Sequence, residues 1–132
     1  MDPKEIFQYM AMPELNISCL ALCTLGLREP ELEAYISLLK NGPLSVNALS
    51  DILRKSRPSA QRILGQLVGK GIAYRQRKLY VSGGYVYEYH AIPPEKFREK
   101  MIENLDGWYK RSIEIIRSIP IELEKPATDV FG

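Results

Sequence analysis

A mainly α chain with one β-hairpin (α+β) is the fold this 132-residue sequence predicts. Two observations carry that prediction. Apolar residues recur at i, i+3, i+4 and i+7 in segments joined by only a few polar or glycine-rich residues, which is the signature of short amphipathic helices. Further on, a tyrosine- and β-branched-rich run is broken by Ser82-Gly83-Gly84, the composition of two strands around a glycine turn.

The elements follow in order. Residues 1–12 read as a short N-terminal arm. "PELNISCLALCTLGL" predicts a first helix from Pro13 to about Leu25, apolar around most of its circumference and so expected to be well buried. "REPELEAYISLLKNG" predicts a second. Pro30 and three glutamates suit its first turn, Lys40 its last, and Asn41-Gly42 stops it. Leu32, Tyr35, Ile36 and Leu39 form its expected inner face. In "PLSVNALSDILRK", Ser45 caps a short third helix whose apolar side is Val46, Leu49, Ile52 and Leu53. After a tight turn, "KSRPSAQRILGQLVGKG" predicts a fourth. Ser56 caps it, Pro58 lies in its first turn, Ala60, Ile63, Leu64, Leu67 and Val68 face inward, and Gly69 and Gly71 end it. The hairpin occupies residues 72–92. A long helix then begins at Pro94 and runs to a stop at Pro120, with a weak point at Asp106-Gly107 where the sequence leaves open whether it continues or bends or splits. Helices joined by a tight turn and followed by a hairpin are the order of a winged helix-turn-helix. The expected divisions are the arm, a DNA-binding domain over 13–92, a C-terminal dimerisation helix over 93–119 and a loose tail over 120–132.

Charge sharpens this reading. From Ile52 to Tyr87 there is no acid, while Arg54, Lys55, Arg57, Arg62, Lys70, Arg75, Arg77 and Lys78 contribute eight positive charges. The rest of the chain holds 10 basic and 16 acidic residues, a balance of −6. A solvated helix normally mixes both signs, so a one-signed segment points to a polyanionic partner. No apolar run approaches the ~18 residues of a membrane span. The opening "MDPKEIFQYM" is too polar for a signal peptide, and a cytoplasmic protein is expected. Cys19 and Cys23 stand four apart on the first helix. They read either as small apolar core residues or as a metal- or oxidation-sensitive pair.

"LGLREPELEAYISLLKNGPLSVNALSDILRKSRPSAQRILGQLVGKGIA", resumed at "YHAIPPEKF", resembles the N-terminal DNA-binding domain of the archaeal TrmB-like transcription regulators. The resemblance covers about Leu25 to Phe97. It implies a winged helix-turn-helix regulator. Larger members of that family add a C-terminal sugar-sensing domain. This chain departs from them by ending too early to hold one, so no small-molecule sensor is expected. It also departs in the longer wing segment "YVSGGYVYEY".

In such a fold the helix over residues 56–70 enters the major groove, and the wing tracks the backbone or the minor groove. Ser59, Arg62 and Gln66 are expected to project outward, with Arg57 and Gln61 flanking the apolar face. Arg57 and Arg62 suit guanine O6 and N7, Gln61 and Gln66 suit adenine, and Ser56 and Ser59 suit a cap and a phosphate or base edge. Arg54 and Lys55 in the turn are expected on phosphates. Arg75, Arg77 and Lys78 on the wing, with Gly83 and Gly84 at its tip, complete the expected DNA contacts. Gly65 and Gly69 read either as a loose helix end or as room for close approach to the sugar-phosphate chain. The hairpin tyrosines read as cross-strand pairs or as base-stacking platforms.

One winged helix reads few base pairs, so a homodimer on paired half-sites is expected. Met101, Leu105, Trp108, Ser112, Ile115 and Ile119 recur at 4-3 spacing and form the expected dimerisation seam; Ile102, Tyr109 and Ile116 widen it. The rival is packing of this helix back onto the first. His90 is the single histidine, and no phosphate loop, nucleophile elbow or metal-spaced cluster occurs. An enzyme and a cofactor are therefore not expected. A winged-helix protein–protein interaction module of a transcription or chromosome-organising complex is the alternative function, and RNA binding a third.

Overall fold

The computed structural model describes residues 15–120; the expected arm, Pro13, and all of the expected tail but its first residue lie outside them. Among the described residues, five helices and a two-stranded antiparallel hairpin follow in the predicted order. Helix α1 (Ile17–Leu25) starts where the Asn16 side chain accepts from the Cys19 N–H at 2.9 Å, and it ends on left-handed Gly26. Only Cys19 and Ala21 of α1 are fully buried, and Ile17 is exposed, so the helix is less enclosed than its composition suggested. It is an outer helix, held on one side by the second and the last helices.

Helix α2 (Glu29–Asn41) opens with Pro30 and, in its first turn, two of the three expected glutamates, Glu29 and Glu31. Its buried face is Glu31, Leu32, Ala34, Tyr35 and Leu38, whereas Ile36 and Leu39 are exposed. The expected face was wrong by about one residue step. The sequence offers two overlapping stripes, and the one that includes fully buried Ala34 joins the core, where this helix packs against the fourth.

Helix α3 (Val46–Leu53) is capped by Ser45, whose Oγ accepts from the Ala48 N–H at 3.1 Å. Leu49 is fully buried and Val46 and Leu53 line the core, but Ile52 is exposed, because a helix of two turns presents only one narrow line to its neighbours. Helix α4 (Arg57–Gly69) buries Ala60, Ile63, Leu64 and Leu67, the face predicted for it.

Strands β1 (Ala73–Leu79) and β2 (Tyr85–Ala91) pair in register from Ala73 opposite Ala91 to Leu79 opposite Tyr85. The connection is Tyr80–Gly84, in which Gly83 (φ 98°) and Gly84 (φ 80°) supply the left-handed conformations that reverse the chain. Tyr89 exchanges both backbone bonds with Leu44, at 3.1 and 2.8 Å, which ties the hairpin base to the segment before α3.

Helix α5 (Pro94–Arg117) is continuous through the weak point at Gly107 and ends shortly before the expected stop at Pro120. Its first turns dock on the body. Phe97 stacks on Tyr35 with ring centroids 4.5 Å apart, Met101 packs against the core, and the Asn104 amide donates to the Thr24 carbonyl at 2.8 Å. The core lies between α2, α4 and the hairpin base, around Leu27, Leu49, Leu64, Leu67 and Ile72. Among the described residues no helix is long and apolar enough to cross a membrane.

Candidate nucleic-acid interface

The basic segment builds three adjoining pieces: a turn, a helix and a wing. The turn between α3 and α4 is set by the backbone. Arg54 adopts the left-handed conformation (φ 55°, ψ 43°), and its N–H reaches the Asp51 and Ser50 carbonyls. The Ser50 hydroxyl donates to the Lys55 carbonyl at 2.6 Å. Arg54 is the one non-glycine residue with positive φ among those described, so both cations of the turn project from a constrained loop.

On α4, Arg57, Gln61, Arg62 and Gln66 are exposed and share the outer side with Gly65 and Gly69. A Cβ built at either glycine meets nothing within 4 Å, so this side presents open backbone around Arg62. Arg57 is not a free arm: its Nε donates to the Asn47 Oδ1 at 3.0 Å, which leaves the two terminal nitrogens as donors. Ser59 departs from expectation. It is half-buried, its N–H donates to the Ser56 Oγ, and the Ser56 hydroxyl donates to the Ser59 Oγ at 2.9 Å. Both serines thus serve the helix cap first.

Lys70 belongs to the fold. Its Nζ donates to Glu31 Oε2 at 2.5 Å and to the Gly26 carbonyl at 2.8 Å. Glu31 is 4% exposed, so this cation neutralises a buried carboxylate and pins the end of α4 to α2. The face of α2 that holds Glu31 also holds Leu38, and that 31–34–35–38 spacing was the sequence signal for its burial.

The wing divides its cations between two faces. The pairing places Arg75 and Arg77 on one face with Tyr89, Tyr87 and Tyr85, and places Lys78 on the other with Val86, Glu88, Gln76 and His90. The expected trio is therefore two arginines together and one lysine apart, because strand side chains alternate. The Arg75 guanidinium lies 4.5 Å above the Tyr87 ring, and that of Arg77 lies 4.5 Å above Tyr85. Tyr85 and Tyr87 meet edge-on at 5.4 Å. The Arg77 guanidinium at the Tyr87 hydroxyl holds that phenol below its ordinary value against the opposing effect of burial, and the charges of Arg75 and Arg77 add to it. Tyr74 stacks on His90 across the strands at 5.0 Å, and Tyr89 is in the core. Tyr74–His90 and the two arginine–tyrosine contacts cross between the strands, whereas Tyr85 and Tyr87 are neighbours along β2. The tip itself is uncharged, with Leu79 and Val81 exposed.

Of the expected seam, Leu105, Trp108 and Ile115 are exposed on α5, Ser112 is half-buried, Met101 is committed to its own core, and Ile119 is exposed but lies past the end of the helix at Arg117. Cys19 is buried and Cys23 half-buried on α1.

A three-helix unit with a basic outer helix and a hairpin wing defines a winged helix-turn-helix protein, the class to which DNA-binding transcription regulators of this fold belong. The model of a family described as the sugar-specific transcriptional regulator TrmB matches residues 22–95, more than half of the chain, and the chain belongs to that family. It is 33% identical over 99 residues to the uncharacterized protein MJ1082 of Methanocaldococcus jannaschii, covering 75% of this chain and 82% of that one. It is 26% identical over 103 residues to the uncharacterized protein MJ1503 of the same organism, 78% of each chain. A solved structure described as a possible transcriptional regulator from Methanosarcina mazei Go1 shares the fold with a TM-score of 0.72 and 24% identity, over 82% of this chain and 92% of that one. The ST1889 protein of Sulfolobus tokodaii aligns with a TM-score of 0.58 and 16% identity, over 70% and 91% of the two chains.

Proposed function

We propose that this chain is a cytoplasmic, sequence-specific double-stranded DNA-binding transcription regulator that acts as a homodimer, with α4 in the major groove and the wing on the backbone or minor groove. One observation carries the reading: the outer side of α4 presents Arg57, Gln61, Arg62 and Gln66 without a single acid, beside a turn bearing Arg54 and Lys55. Arginine and glutamine are the side chains that pair bidentately with guanine and adenine edges. The reading includes no enzymatic step and no cofactor; His90 is laid against Tyr74. A gel shift with genomic fragments, competed by RNA, tests it. Arg57→Ala with Arg62→Ala is expected to abolish sequence preference, and affinity is expected to fall steeply with salt as counterions are released. A flat salt dependence, or equal competition by RNA, would overturn it.

The dimer is assigned to α5. Beyond Met101, the side chains of Ile102, Leu105, Trp108, Tyr109, Ile115 and Ile116 fall within about 140° of the helix circumference at 100° per residue, and these six and Ile119, just past the helix end at Arg117, are all exposed. Each exposes roughly half its surface, so burial is worth about 1 kcal/mol apiece. Fourteen side chains in a two-fold pair then contribute on the order of the association cost itself. Such a dimer needs nearly the whole stripe. Leu105→Glu is expected to give monomers by light scattering; an unchanged mass would move the seam elsewhere.

A further inference from the structure

The hairpin's register puts Arg75 opposite Tyr89 and Arg77 opposite Tyr87. Neither guanidinium sits over its direct partner. Both lean toward the tip onto the next tyrosine of the same face, two register positions on: Arg75 onto Tyr87 and Arg77 onto Tyr85, each at 4.5 Å. With Tyr85 edge-on to Tyr87, the four side chains form one connected ladder on the exposed part of the wing. The only acid of the two strands, Glu88, lies on the opposite face.

An arginine laid over an aromatic ring keeps its N–H groups in the guanidinium plane, and apart from the edge that Arg77 turns to the Tyr87 hydroxyl, their edges stay available to an anion. The ring also removes much of the rotational freedom that a long side chain otherwise loses when it binds. Positions i and i+2 of a strand stand about 6.8 Å apart. Phosphates of one DNA strand rise about 3.4 Å per nucleotide while winding around the axis, so successive ones stand roughly twice that far apart through space. The two repeats match.

We propose that Tyr85 and Tyr87 are positioning residues for DNA binding: they hold Arg75 and Arg77 as a preformed pair of guanidiniums for two successive phosphates of one strand. The proposal rests on the reading of this chain as a DNA-binding protein and adds to it which wing residues act and how. Lys78, on the other face, is outside the pair.

The test uses the full chain and a random-sequence duplex, since phosphate contacts are independent of sequence. Affinity is measured by fluorescence anisotropy across a salt series. Arg75→Gln with Arg77→Gln is expected to lower the log–log salt slope by about 2, at about 0.9 per phosphate. Tyr85→Ile with Tyr87→Ile, which keeps strand propensity, is expected to leave the slope unchanged while weakening binding about two- to fivefold per ring. Tyr85→Phe with Tyr87→Phe keeps the rings and is expected to retain most of the affinity. A phenylalanine variant as weak as the isoleucine one, or an isoleucine variant as tight as wild type, overturns the proposal. So does an unchanged slope in the arginine variant while Arg62→Ala still weakens binding; in that case the DNA-binding reading survives and only the wing assignment fails. No binding of wild type to any duplex sinks both.

Discussion

Replacing Arg54 by glycine is expected to make the protein more stable and a poorer DNA binder. Arg54 sits at φ 55°, ψ 43° at the end of α3, a conformation that costs an L-residue about 1–2 kcal/mol. Glycine relieves that strain but gives the unfolded chain extra freedom worth about 0.4–1 kcal/mol. The net gain is about 0.5–1 kcal/mol, a rise in melting midpoint of about 3 °C for a chain of this size. The backbone bonds to the Asp51 and Ser50 carbonyls need no side chain and persist. On DNA the variant lacks one cation of the turn, so its salt slope is expected to drop by about 0.9. Circular dichroism melts and anisotropy in a salt series read the two effects separately, and Arg54→Lys, which keeps strain and charge, should change neither much. A glycine variant no more stable than wild type would refute the strain argument. One that binds with unchanged slope would refute the idea that the strain is retained for a phosphate contact.

The remaining predictions concern the surrounding fold and the open side of α4. Lys70→Met leaves the Glu31 carboxylate, whose side chain is 6% exposed, without its cation; discounted for the 33% exposure of Lys70, the loss is about 2 kcal/mol in urea denaturation, with the DNA salt slope unchanged. Gly65→Ala meets no atom within 4 Å and is expected to stabilise α4 by about 1 kcal/mol, yet to weaken DNA binding if the helix backbone approaches the sugar-phosphate chain; equal affinity would remove that role. The Tyr35 phenol, which donates to the Ile92 carbonyl at 2.8 Å, is pushed up to about 12 by burial, with Glu95 adding to it. Its folded value lies above the unfolded one of about 10, so its contribution is intact below pH 10 and is lost as pH rises through about 12. Alkaline denaturation should therefore show a decline on the order of 2 kcal/mol over that window, flattened in Tyr35→Phe.

By itself the sequence determined the order of elements, because caps, turns and periodicity act between near neighbours. Ser45 and Ser56 cap the helices they were expected to cap, Pro94 starts α5, and Gly83-Gly84 reverses the hairpin. It also determined the family: the motifs from about Leu25 to Phe97 coincide with the match over residues 22–95. Even the separation of Lys78 from Arg75 and Arg77 was countable, since strand positions alternate; grouping them by adjacency hid it. Only the tertiary structure decided which of two overlapping stripes of α2 faces inward, because a 3.6-residue period makes neighbouring faces equivalent until a partner packs on one. It alone assigned Lys70 to Glu31, 39 residues away, and withdrew that charge from the basic surface. It alone laid two arginines over two tyrosines. A charge can be counted from the chain, but the partner that holds it depends on which distant segments the core brings together.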